Sequence, residues 1–185
     1  MSQYPAFAPP SQPPQGGQRP PAAGHRYPLT TNNPFPDIKS LPPTKLHDLG
    51  GPSQPIYVGS AIFQNAIHPC KIAPHLDSPV RVPYAGGETE HHGRYDLLPI
   101  DENWMEWVQT GHGRIPPGRR PVEGGYEENG ERLFHALANI DGNWVPGKTG
   151  EHLTGANIPF GGERVVQSDY LILFVFTFYH SANMF

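Results

Sequence analysis

Ile56-Tyr57-Val58-Gly59-Ser60-Ala61-Ile62-Phe63 follows Pro55, and Leu133-Phe134-His135-Ala136-Leu137-Ala138 begins 77 residues after Ile56. The second stretch is ambiguous by itself. Asn129 to Gly142 has an Asn start, apolar Leu133, Phe134, Leu137 and Ile140, and a terminal Gly, which together suit a short helix. The first stretch is β-branched, aromatic and Gly-containing, which suits a strand and disfavours a helix. The residues downstream of each stretch decide between the two readings. Pro69-Cys70-Lys71, His75-Leu76, Val82-Pro83-Tyr84, Gly86-Gly87-Glu88 and Tyr95-Asp96-Leu97-Leu98 are answered by Pro146-Gly147-Lys148, His152-Leu153, Ile158-Pro159-Phe160, Gly161-Gly162-Glu163 and Tyr170-Leu171-Ile172-Leu173. The offset is 77 at the prolines and 75 at the glutamates, so these are two copies of one unit. Copies fold alike, and both stretches are therefore read as strands.

Pro or Gly recurs every few residues elsewhere, and no long stretch has a helical period. The predicted class is all-β: two tandem antiparallel β repeats sharing one core about a pseudo-twofold axis. Repeat one covers 47–100 and repeat two 123–174, with a linking strand at 102–109 (Glu102-Asn103-Trp104-Met105-Glu106-Trp107-Val108). The chain before residue 47 shows no counterpart to that strand, and the C-terminal strand is the candidate to replace it. Leu171 to Tyr179 is an apolar run too short for a membrane helix, which needs about 20 residues; it reads as a buried strand.

Twelve of the 24 prolines fall in residues 1–43, alongside only four charged side chains. This segment is read as a disordered, proline-rich tail, with the β domain occupying 44–185. Pro10-Ser11-Gln12-Pro13 fits the pattern read by SH3-type domains. The remaining chain has ten basic and 16 acidic residues, a net of −6, which argues against nucleic acid as a partner. One cysteine, no Asn-x-Ser/Thr acceptor and a start with neither basic nor apolar character point to a cytoplasmic protein, with leaderless release still open.

Gly142-Asn143-Trp144-Val145-Pro146-Gly147-Lys148-Thr149 has the letters of a phosphate-binding P-loop. That chemistry requires a helix directly after the lysine, whose first N–H groups hold the phosphates. The sequence supplies Thr149-Gly150-Glu151-His152-Leu153-Thr154-Gly155-Ala156-Asn157-Ile158-Pro159, which cannot form one readily. The first copy keeps Pro-x-Lys and loses both glycines, so the repeat preserves the lysine and not the loop.

Trp144-Val145-Pro146-Gly147-Lys148 with Asn157-Ile158-Pro159-Phe160-Gly161-Gly162-Glu163, and Tyr57-Val58-Gly59-Ser60-Ala61 with Pro69-Cys70-Lys71-Ile72, resemble the DM9 repeat over residues 47–173. The resemblance implies an all-β, non-enzymatic lectin for mannose-type glycans, in which an acidic residue early in each repeat and the lysine of Pro-Gly-Lys hold the sugar. Carried over, the implied pairs are Glu127 with Lys148 and Asp48 with Lys71. A carboxylate accepts from vicinal hydroxyls, an ammonium donates to their oxygens, and Tyr126 or Trp144 could cover an apolar sugar face. Glu127 stands where the family more often has Asp. Asp48 lies nine residues before Tyr57, against seven between Glu127 and Phe134.

Alternatives come from the residues themselves. Glu88 and Glu163 are either turn residues or partners of the lysines. His75 and His152 recur once per repeat, which favours packing or a structural hydrogen bond over metal binding, and no zinc-type spacing occurs. No cofactor, metal or catalytic residue is expected. A homodimer would carry four sugar sites. The competing function is an interaction scaffold that recruits a partner through the proline-rich tail.

Overall fold

The computed structural model describes residues 22–176, and the Pro10–Pro13 motif lies outside that range. The strands are β1 (Tyr27–Thr30), β2 (Tyr57–Ile62), β3 (Ile67–Ile72), β4 (Val80–Tyr84), β5 (Gly87–Glu90), β6 (Arg94–Leu98), β7 (Met105–Gly111), β8 (Arg120–Pro121), β9 (Glu123–Tyr126), β10 (Arg132–Ile140), β11 (Asn143–Thr149), β12 (Ala156–Phe160), β13 (Glu163–Gln167) and β14 (Asp169–Val175). The only helical pieces among the described residues are 3-10 turns at Ile38–Ser40 and Gly51–Ser53. No helix there is long and apolar enough to cross a membrane.

The pairing order is β1-β6-β2-β3-β4-β5-β13-β12-β11-β10-β14-β7, which reads the same from either end once β2–β6 are matched with β10–β14. The pseudo-twofold axis falls where Gly87 of β5 meets Glu163 of β13. β9 pairs with β10 and, at Tyr126, with Ile67 of β3. The strands β3-β4-β5-β13-β12-β11-β10-β9 therefore close into a barrel. Closure depends on two glycines, because a Cβ at Gly125 would collide with the Ile67 carbonyl and one at Gly124 would press on Pro69.

The ambiguous stretch is a strand because both of its faces are covered. From β10, Leu137 enters a cluster shared by both repeats, with Val58, Leu98, Leu171 and Leu173. Phe134, Ala136, Ala138 and Ile140 enter a cluster belonging to repeat two, with Ile158 and Ile172. Repeat one has its own equivalent around Tyr57, Ile72, Val82 and Leu97. A strand buried on both faces has a continuous apolar run, which alone cannot be told from a buried helix. The expected single core is thus one shared cluster plus a private one per repeat.

Two expectations are corrected. The fold reaches back to residue 22, well before residue 44: β1 pairs with β6 from Tyr27↔Leu97 to Thr30↔Arg94. Pro28 is tolerated because β1 is an edge strand among the described residues. The linking strand also has a counterpart. β7 lies along the outer edge of β14 and β1 along the outer edge of β6, so the supposed tail holds the equivalent of β7.

Arg26, just before β1, fastens this segment to the barrel. Its Nε donates to Ala23 O (2.8 Å), Nη1 to Ser60 Oγ (3.0 Å), and Nη2 to Glu123 O (2.7 Å) and His135 Nε2 (2.9 Å). Arginine only donates, so His135 accepts at Nε2. Burial, reinforced by the nearby Arg26 charge, holds His135 well below its usual range and keeps it neutral. Replacing Arg26 orphans acceptors in three strands. Arg26→Met should lower unfolding stability by about 2–3 kcal/mol in urea titrations, against under ~0.5 kcal/mol for the exposed control Arg94→Gln.

Candidate ligand site at the repeat junction

Lys148 leaves β11 close to the junction with repeat one. The preceding Gly147 is required there, since a Cβ would run into the Asn157 carbonyl of β12. The Lys148 ammonium donates to Glu127 Oε1 (3.3 Å) and His68 Nδ1 (2.9 Å), and lies 5.9 Å from the Tyr84 ring centroid. Glu127 follows β9 in a tight turn closed by Gly130 N→Glu127 O and Glu127 N→Glu131 O, both 2.9 Å. Its carboxylate also meets His152 Nε2 at 3.5 Å and His68 Nδ1 at 3.7 Å.

The aromatic wall comes from repeat one. Tyr84 stacks on Phe63 (5.2 Å, 25°), and His68 meets both rings nearly edge-on at 5.1 and 5.2 Å. Tyr84 OH donates to Glu128 Oε1 (2.7 Å), joining the wall to the β9–β10 turn. The site is thus composite: Phe63, His68 and Tyr84 from one copy, Glu127, Glu128, Lys148 and His152 from the other.

Burial first, and the Lys148 charge second, push His68 down to about 4, so it is neutral near pH 7. The ammonium can only donate, so His68 accepts at Nδ1 and carries its proton on Nε2, which has no hydrogen-bond partner among the described residues. Burial also lowers Lys148, an effect opposed by Glu127. The Tyr84 hydrogen bond lowers Glu128.

Of the residues singled out from sequence, Glu127 and Lys148 are brought together. Asp48 and Lys71 are not paired. Asp48 meets His75 Nε2 at 3.2 Å, while Lys71 is taken by Glu88 (3.0 Å) and the Pro159 carbonyl of repeat two (3.2 Å). Glu88 is therefore a lysine partner, fixed in turn by accepting from Gly162 N (2.7 Å), whereas Glu163 is an exposed residue at the start of β13. That difference leaves Lys148 for Glu127. The recurring histidines prove to be repeat-symmetric partners of Asp48 and Glu127.

Tyr126 is 44% exposed but lines a separate recess with Arg26, Ser60 and Arg132. Neighbouring strand residues point to opposite faces, which turns Tyr126 away from Glu127. Trp144 packs on the shared core, four residues from Lys148 and roughly 13 Å along the strand at about 3.3 Å per residue. The sequence reading missed Phe63, His68, Tyr84 and Glu128. A signal did exist, since the repeat pairs His68 with Val145 and Tyr84 with Phe160, positions where the copies differ in chemistry.

Donor atoms of His68, Glu127 and Glu128 lie within 4.8 Å of one another and could ligate a cation, which would have to compete with the Lys148 ammonium already bonded there. Cys70 is fully buried, and burial raises its thiol pKa far from thiolate formation.

Residues 52–167 match the DM9 repeat. The chain belongs to the DM9 repeat family. This DM9 protein is also similar in structure to the nematode sperm cell motility protein MFP2B, with a TM-score of 0.58 at 16% identity, covering 92% of this chain and 51% of that one. It thus shares the fold while spanning about half the MFP2B chain. No curated protein sequence matches it.

Because His68 binds its proton more weakly folded than unfolded, the unfolded chain holds more protons between about pH 4 and 6.5, and stability rises with pH across that window. Going from pH 7 to pH 5 should cost about 2 kcal/mol from His68, with His135 adding to the loss. Urea titrations at both pH values should show a smaller loss in His68→Gln.

Proposed function

We propose that this DM9 protein binds carbohydrate, without catalysis, at the repeat junction, with mannose-type glycans as the ligand class. The observation that carries this reading is the Glu127–Lys148 pair set beside the Tyr84 ring. Vicinal hydroxyls donate to a carboxylate and accept from an ammonium, and charge-assisted bonds of this kind are about twice as strong as neutral ones. Tyr84 replaces Tyr126 and Trp144 as the surface for an apolar sugar face. The extra methylene of Glu127, relative to Asp, is accommodated by a turn that places its carboxylate within 3.3 Å of Lys148.

The Glu88 and Pro159 contacts of Lys71 favour one such site per chain, not one per repeat. A dimer would then offer two sites, and useful avidity would come from clustered glycans. The ligand hydroxyls meet protein groups directly, so binding should be indifferent to chelators.

The scaffold reading draws on the architecture shared with a cell-motility protein. Removing residues 1–21, and not 1–43, tests it, because residues 22–43 belong to the fold: sugar binding survives the cut, whereas tail-dependent recruitment is lost.

On a glycan array with mannan and mannose-type oligosaccharides, Lys148→Ala and Glu127→Gln should lower binding by tenfold or more, about 1.4 kcal/mol, and Tyr84→Ala by several-fold. Lys71→Met should stay within about twofold of the parent, a difference under ~0.5 kcal/mol. Undiminished mannan binding by folded Lys148→Ala would rule the junction out as the sugar site.

A further inference from the structure

A cavity of about 570 Å³ shares no lining residue with the repeat junction. It lies between the N-terminal segment, the ends of β2 and β6, and the linker leading into β7. Its floor is Leu46, Val58, Leu98 and Met105, buried members of the shared core, and Tyr27 and Ile100 contribute walls. Such a volume falls within the roughly 300–1,000 Å³ of small-molecule sites.

The frame is fixed on both sides. Thr44 Oγ1 donates to Ile56 O (2.9 Å) and accepts from Leu46 N (3.1 Å), while Ile56 N donates to Leu46 O (3.1 Å). Across the opening, Trp104 N and Met105 N both donate to Asp101 O, at 2.9 and 2.8 Å. Lys45, Glu102 and Asp101 at the mouth already have partners. Lys45 and Glu102 form an ion pair at 2.5 Å, and Asp101 Oδ1 accepts from Asn103 N and Nδ2, both at 3.0 Å. Among the described lining residues Lys45, Asp101 and Glu102 are engaged, so a charged ligand would lose hydration on entry with little to offset the loss. An uncharged apolar ligand would instead remove carbon surface from water.

We propose that this cavity binds a compact, uncharged, apolar small molecule. The site is independent of the sugar reading, since neither Glu127 nor Lys148 borders it.

The test titrates the full chain with N-phenyl-1-naphthylamine, an uncharged apolar fluorophore, beside anionic anilinonaphthalene sulfonate. The neutral probe should bind saturably, one per chain, and the anionic probe much more weakly. Ile100→Trp, which fills the wall, should weaken neutral-probe binding about tenfold, and Lys148→Ala should leave it unchanged. If Ile100→Trp does not fold by circular dichroism, Tyr27→Ala decides, because unaltered affinity there overturns the proposal. It is equally overturned by an absence of saturable binding, by equal affinity for both probes that survives Ile100→Trp, or by loss of the site as rising protein concentration brings copies together over its mouth.

Discussion

The approach of β9 to β3 is the contact on which the remaining geometry rests. Only a main chain stripped of side chains at Gly124 and Gly125 can lie against Ile67 and Pro69, and that contact turns an open, palindromic sheet into a closed barrel. It also determines where β9 ends. The next residues, Glu127 and Glu128, are delivered to the seam between the copies, where one meets Lys148 and the other Tyr84. A bulkier strand would move both carboxylates away from the groups that give them a role.

The two lysines show how a duplicated unit acquires different uses from the same letters. Each sits on the equivalent strand of its copy, β3 or β11, and each is almost fully buried. A buried ammonium needs a carboxylate, and the nearest available one differs. In repeat one, Glu88 turns inward and is held by Gly162 N; in repeat two, Glu163 faces water and the role falls to Glu127. Lys71 thereby joins the copies structurally, through the Pro159 carbonyl, while Lys148 stays beside groups that reach the surface.

The all-β class and the repeat were readable from the amino acids because the duplication supplied an internal control. It identified β10 as a strand despite its helical spacing, and it showed that Gly142–Thr149 is not a phosphate loop; the structure makes Asn143–Thr149 the strand β11. Tyr27-Pro28-Leu29-Thr30 escaped notice for a physical reason: an edge strand needs neither an alternating apolar face nor every N–H, so it can hide in proline-rich sequence. Half of the candidate site was readable as well. Glu127 and Lys148 could be named from their own repeat, but Tyr84 and His68 arrive from the other copy, and no spacing along the chain encodes that meeting. Tyr126 and Trp144 were misplaced because nearness in sequence is not nearness at the site: Tyr126 turns to the opposite face from Glu127, and Trp144 lies too far along β11 from Lys148.

The composite seam has an evolutionary corollary. A gene carrying one unit would encode the lysine without its aromatic wall, or the wall without its lysine. A change at the seam in either unit is therefore felt by groups of the other, as Tyr84 and Lys148 illustrate. The units differ where they meet, at Tyr84 against Phe160 and His68 against Val145, so the seam is where two copies of one unit cease to be interchangeable.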